Sequence, residues 1–301
     1  MKQLLLSAAL ALSCTLGLSA CGEKTAGEIE QPTQQSAPRP AMWELASSDG
    51  TVEGWLFGTI HSLPDGTTWE TELISDTIDE ADLLIVEIAA LEDSAAIAHI
   101  FTRLARTEGL PALSERLPAG DQAALRDMLA ETSYSDSDFT ATESWAAALM
   151  LAQGVRSGNP ENGVDRALLR RFAGRPVREF EGPARQLGIF DSLPERDQRN
   201  LLAAVVQEGG DAAEESAKLA RIWISGDMGS LARENSRGLM SYPELRTALL
   251  VKRNEDWAEQ LDILLPASPP ALIAVGAAHM AGPEGLPSLM QQKGYNVTRV
   301  Q

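Results

Sequence analysis

The chain has 301 residues, 44% of them hydrophobic, and a formal net charge of −18. Such a composition suits one or two globular domains with a real core and excludes a disordered polymer. So acidic a chain repels phosphate backbones, and no basic patch offsets the charge, so nucleic acid is excluded as a partner.

Residues 1–20 read as a leader rather than as part of the fold. Lys2 supplies a positive start, and "LLLSAALALSCTLGLSA" is apolar but short for a membrane span. Small residues close it before Cys21, and "LSAC", residues 18–21, resembles the lipobox of bacterial lipoproteins. That resemblance implies a lipid on Cys21, which becomes the mature N-terminus; an ordinary cleaved signal is the alternative. Gly22 follows where an aspartate would suggest inner-membrane retention, so the expected location is the cell envelope, anchored to the outer membrane and facing the periplasm. With Cys14 removed and Cys21 lipidated, the folded part has no cysteine, which excludes disulfides, thiol catalysis and cysteine-ligated zinc. Residues 21–40 are polar and aperiodic and read as a flexible tether.

The folded domain is expected over 41–301. "MWELASSDGTVEGWLFGTIH", residues 42–61, has two strand-like runs around a Ser-Ser-Asp-Gly turn signal, a hairpin. Trp55, Phe57 and Thr59 alternate with Leu56, Gly58 and Ile60, so both faces of the second strand pack. "ETELISDTIDEA" has helical spacing, and "DLLIVEI", residues 82–88, is a buried strand of the parallel type. Strand, helix and strand make a βαβ unit. From about 93 to 265 the chain is mostly helical, as in "AAIAHIFTRLA", "DQAALRDMLAE" and "SWAAALMLAQGV". "RPVREFEG", residues 175–182, interrupts these helices as a short strand. The last forty residues return to strand, helix and strand. The expected class is therefore α/β, a central sheet formed from N- and C-terminal βαβ-like segments with a helical insertion.

Two of only three histidines lie three residues after a glycine, in "GTIH" and "GAAH". His61 ends one apolar strand, Glu87 ends another, and His279 lies just beyond the near-terminal one. Ligands of open α/β sheets bind beyond the carboxyl ends of strands. Two imidazoles and a carboxylate are a set that divalent transition metals favour. Glycine there lets the backbone bend sharply, or lets a ligand approach closely. Hydrogen-bonded core or surface histidines are the plainer alternative. His99, at helical spacing in "AAIAHIF", reads as an ordinary helix residue.

"WLFGTIHSLP", "ADLLIVEI", "NGVDRALLRRFAGRPVREFEGPARQL", "KRNEDWAEQL" and "AVGAAHMAGPEGLPSLMQQKGYNVTRV" together resemble the TraB/GumN family, whose relatives include the Tiki proteins. The Tiki branch implies a metal-dependent protease in which His61, Glu87 and His279 are metal ligands or catalytic groups, with manganese, cobalt or zinc as the ion. A wider kinship with erythromycin esterase-like and ChaN-like proteins implies an α/β core, and chemistry that extends to metal-free hydrolysis and haem binding. The resemblance also singles out Asp165, Glu181 and Arg253. Asp165 fits a helix cap as well as a functional group. Glu181 matches a family Leu-Glu-Thr in which both neighbours differ here. Arg253, with Asn254, matches an Arg-Asn pair on a long helix and would steady Glu87 or an oxyanion.

The expected function is thus a periplasmic, lipid-anchored metallohydrolase acting on a peptide or protein substrate. Two rivals stay open. One is a metal-free hydrolase with His61 as base, oriented by Glu87. The other is a binding protein for a peptide signal, a haem or a metal.

Overall fold

The computed structural model describes residues 37–155 and 158–301. The expected signal and lipobox, and most of the expected tether, lie outside the described residues. Arg39 and Pro40, at the tether's expected end, are already tied down. The Arg39 N–H donates to the Ile224 carbonyl at 2.7 Å, and the Pro40 carbonyl accepts from Gln301 Nε2 at 2.9 Å.

Strand β1 (Met42–Ala46) and strand β2 (Val52–Thr59) form the expected antiparallel hairpin, with Trp43 opposite Leu56. Gly50 closes its turn at φ 90°, a left-handed conformation that glycine adopts without strain. Helix α1 (Glu72–Glu80) starts at Thr71, whose hydroxyl accepts from the Ile74 N–H. Strand β3 (Leu83–Val86) is buried on both faces. The insertion opens with α2 (Ser94–Leu104), α3 (Gln122–Ala130), α4 (Ser144–Gly154) and α5 (Val164–Arg171). Strand β4 (Val177–Glu179) interrupts it before α6 (Gly182–Asp191), α7 (Glu195–Glu208), α8 (Ala212–Ser225) and α9 (Met228–Glu234). Helix α10 (Pro243–Arg246) runs through a π-helical turn, Thr247–Val251, into α11 (Lys252–Leu264). Strand β5 (Ala271–Gly276), helix α12 (Leu286–Gln292) and strand β6 (Asn296–Arg299) end the fold.

The six strands make one sheet in the order β4-β3-β5-β2-β1-β6. β2, β5, β3 and β4 are parallel, while β1 is antiparallel to both its neighbours. The class is α/β, as read from the sequence. One feature differs from the simplest βαβ reading: β3 does not lie beside β2, because β5 sits between them.

Period-two alternation divides the core. Leu56, Leu83, Ile85 and Ile273 face Trp257 and Leu261 of α11 and Leu286 and Met290 of α12. Trp55, Phe57, Leu84 and Leu272 face Ile78 of α1, Leu168 of α5 and Trp223 of α8. A third cluster, including Trp145, Leu151, Leu201 and Leu245, fills the helical insertion, and its members come from outside the sheet strands. Each fully buried large apolar side chain stabilises by about 1.5–3 kcal/mol, so covering both faces is what holds so short a set of strands together.

Candidate active site

Because β2, β5, β3 and β4 lie side by side and run the same way, their carboxyl ends form one edge. Across that edge stand His61 beyond β2, Gly276 and His279 at the end of β5, Glu87 after β3, and Glu181 beyond β4. A methyl group placed on Gly276 would stand 3.2 Å from Glu87 Oε1, 3.6 Å from His279 Cδ2 and 3.8 Å from His61 Nε2. Three of the expected groups therefore meet around one glycine. Gly58 has a matching purpose, since a methyl there would lie 3.0 Å from the Ala277 Cα. Neither glycine has a positive φ, so close approach rather than a sharp bend explains both Gly-x-x-His motifs.

The two histidines are not equivalent. The His61 side chain is 63% exposed, and its Nδ1 lies 2.8 Å from Asp165 Oδ2. Asp165 is in the first turn of α5 but makes no cap bond; it is buried, and Oδ1 accepts from the Thr59 hydroxyl at 2.6 Å. Helix capping, one of the two sequence readings, is thereby corrected. The Val164 N–H donates to the Ile60 carbonyl at 2.9 Å, which docks the start of α5 against the end of β2. Burial alone would raise the Asp165 pKa, but the charge and hydrogen bond of His61 and the Thr59 hydroxyl hold it below the usual carboxylate range. An ionised carboxylate only accepts, so the His61 nitrogen that faces it, Nδ1, carries a proton. His61 is thus oriented by Asp165, not by Glu87 as the metal-free sequence reading had it.

His279 is buried. Asn254 Nδ2 donates to the Glu284 carbonyl at 2.7 Å, which turns Asn254 Oδ1 toward His279 Nδ1. Nδ1 therefore holds the proton, and Nε2 faces Arg253 Nη1 at 3.2 Å. Burial pushes the His279 pKa down to about 3, against Glu87 and reinforced by Arg253 and His61, so the ring is neutral.

Arg253 binds three of the other groups. Its Nε and Nη2 donate to Glu181 at 2.9 and 2.8 Å, a two-pronged pair, and Nη2 also reaches Glu87 Oε2 at 2.6 Å. Trp257 stacks under the guanidinium at 4.6 Å and gives its indole N–H to Glu181 at 3.2 Å. Glu87 accepts further from the Gly276 N–H at 2.8 Å and from Gln186 Nε2 at 2.9 Å. Burial would raise its pKa; the Arg253 guanidinium beside it and the Gly276 N–H that it accepts bring it below the ordinary value. Arg253 is covered rather than an ordinary helix-surface arginine, and it is hydrogen-bonded to Glu87. His99 lies exposed on α2 and is not among the residues that line the cleft at this edge.

A model of the TraB/PrgY/gumN family matches residues 41–299. The chain belongs to that family. No curated protein and no solved structure matches it.

Metal binding by this TraB/PrgY/gumN chain can be judged from its donors. A metal would need the lone pair of His279 Nε2, which faces a guanidinium, and the oxygens of Glu87, which already accept from Gly276, Gln186 and Arg253. The positive charge of Arg253 stands where the cation's charge would be. Among the described residues, no three His, Cys, Asp or Glu groups are arranged to hold a metal ion. The manganese, cobalt or zinc site implied at His61, Glu87 and His279 does not fit these side chains as folded.

What the edge does form is a cleft of about 240 Å³, lined by His61, Asp165, Glu87, Gln186 and Arg166, with an apolar wall that includes Ile88 and Leu91. Thr59, Gln186 and Arg166 were not singled out by the sequence reading. A threonine inside a strand and polar residues on amphipathic helices carry no signal of their own; only proximity to His61 and Glu87 marks them.

Proposed function

We propose that this chain is a cell-envelope hydrolase that cleaves peptide bonds without a metal, with His61 as general base. One observation carries the reading: an exposed imidazole, held by a buried carboxylate, lines a cleft of about 240 Å³. His61 Nε2 takes a proton from water as the oxygen adds to the carbonyl carbon. Asp165 keeps the ring in the required tautomer and stabilises the imidazolium that forms. His61 then returns the proton to the departing amine as the C–N bond breaks. The Glu87 carboxylate, facing His61 electrostatically, favours the same imidazolium. His279 and Arg253 do not touch the reacting atoms in this scheme. They hold Glu87 in place.

The experiment is a peptide-cleavage assay on the full-length protein with and without a chelator. His61→Asn and Asp165→Asn each lower kcat by about 10²–10⁴-fold, the usual contribution of a positioned base. Chelation leaves the rate unchanged. A rate abolished by chelator and restored by manganese, cobalt or zinc returns the metalloprotease reading. Peptide bound but recovered intact favours a binding protein instead.

The anchor belongs to the same proposal. Cys21 in "LSAC" carries lipid and holds the domain at the outer membrane facing the periplasm. Labelled palmitate is expected on the wild-type chain and absent from Cys21→Ser; equal labelling of both would refute it.

A further inference from the structure

Arg166 follows Asp165 in the first turn of α5 and lines the cleft that His61 opens into. Its side chain is 26% exposed, yet it donates no hydrogen bond to any described residue. Its one ion pair among them, with Glu161, stands at 3.9 Å, beyond hydrogen-bonding distance. Other covered arginines of this protein are saturated: Arg253 binds Glu181 and Glu87, and the buried Arg116 donates to the carbonyls of Pro111, Phe139 and Thr142. Arg166 is also the cation among the residues lining this cleft, in a chain with an excess of acid. An arginine side chain about three-quarters covered, whose N–H groups bind none of the described residues, suits a planar anion, and a carboxylate matches its fork.

The remaining lining narrows the ligand. Val86, Ile88, Leu91 and Pro160 form an apolar wall, and the volume of about 240 Å³ falls below the roughly 300–1,000 Å³ of ordinary ligand pockets. That space takes one amino-acid residue with an apolar side chain rather than an extended peptide.

We propose that Arg166 anchors the terminal carboxylate of a peptide, so that the cleft receives the last residue and His61 directs water at the bond before it. The inference rests on the hydrolase reading above and adds its substrate class: peptides ending in a free, apolar C-terminal residue. A terminal carboxylate is three bonds from the scissile carbonyl carbon, so a base and an anion-binding group on one small cleft suit this pair. One water is consumed. Its oxygen bonds to the carbonyl carbon, the C–N bond breaks, and its proton passes through His61 to the released amine.

Two measurements on the full-length protein separate this inference from the reading beneath it. The first compares cleavage of acetyl-dialanyl-leucine as the free acid and as the C-terminal amide. Wild type prefers the acid by about 10- to 100-fold in kcat/KM, the effect of a charged hydrogen-bonded pair. In Arg166→Gln that ratio falls to near one through KM, and in Arg166→Lys it is partly kept. The second is calorimetric binding of N-acetyl-leucine and N-acetyl-leucinamide, neither of which requires turnover. The acid binds more tightly to wild type, and Arg166→Gln removes the difference. Glu161→Gln, an exposed change that relieves a competing carboxylate, increases the preference for the acid. Cleavage without any preference between acid and amide overturns the carboxylate anchor and leaves the hydrolase. Preferential acid binding without cleavage keeps the anchor and overturns the hydrolase.

Discussion

His61 and His279 meet at one glycine yet differ in their access to water, and the difference dictates their chemistry. The His279 ring is buried with both nitrogens engaged, and its pKa lies near 3 against 6.5 for an unperturbed imidazole. An unfolded His279 gains a proton as the pH falls below about 6.5 while the folded one does not, so acid favours unfolding. The stabilisation is complete above pH 6.5 and declines as the pH falls from there toward about 3. Asp165 and Glu87, with pKa values held low, contribute in the same direction only once the pH drops below about 4. Urea unfolding at pH 7, 6 and 5 is expected to show this decline, and His279→Gln to flatten it. A midpoint constant from pH 7 to 5 in the wild type would mean that His279 is not buried in its neutral form. Asp165 and Arg253 could be singled out in the sequence by resemblance, and Glu87 named as a partner of Arg253, but the partner of Asp165 could not. His61 is 104 positions from Asp165, and only distance in space tells a cap from a hydrogen bond to His61.

At the level of elements, three local devices aim the side chains. The docked start of α5 presents Asp165 to His61. The chain leaving β4 stays paired with β3, the Phe180 N–H donating to the Val86 carbonyl at 2.9 Å, and this sets Glu181 opposite Arg253. The π-helical turn before α11 resets the helical phase just ahead of Arg253 and Asn254, so that one reaches Glu87 and the other His279. "TALLV" reads in sequence as continuous helix, because no residue in it announces the wider turn. The end of β5 is equally exacting. Gly276→Ala inserts a methyl 3.2 Å from Glu87 Oε1, and the overpacking is expected to cost about 1–3 kcal/mol in denaturant unfolding and to lower the peptide-cleavage rate. An alanine variant with unaltered stability and rate would show that the three groups do not crowd this position.

For the molecule as a whole, the decisive feature is that β5, from the C-terminal end, pairs with both β2 and β3 from the N-terminal part. Without it the sheet is divided between β2 and β3, and no edge carries His61 and Glu87 together. A chain ending at residue 268 is therefore expected to show no cooperative unfolding in near-ultraviolet circular dichroism, although its helical insertion has a core of its own. A cooperative tryptophan transition in that truncated chain would contradict the strand order. Pairing across such sequence separation also delays folding until the last strands are available.

The sequence by itself determined what depends on near neighbours: the elements, the two-sided burial of β2 and β3, the α/β class, and histidines placed at strand ends. These follow from periodicities of two and 3.6 residues and from glycine at crowded positions. Tertiary structure alone decided which histidine stays open to solvent, which carboxylate holds it, and that a guanidinium faces the other. Charges and lone pairs act over a few ångströms, and those separations are fixed by the order in which distant strands pair.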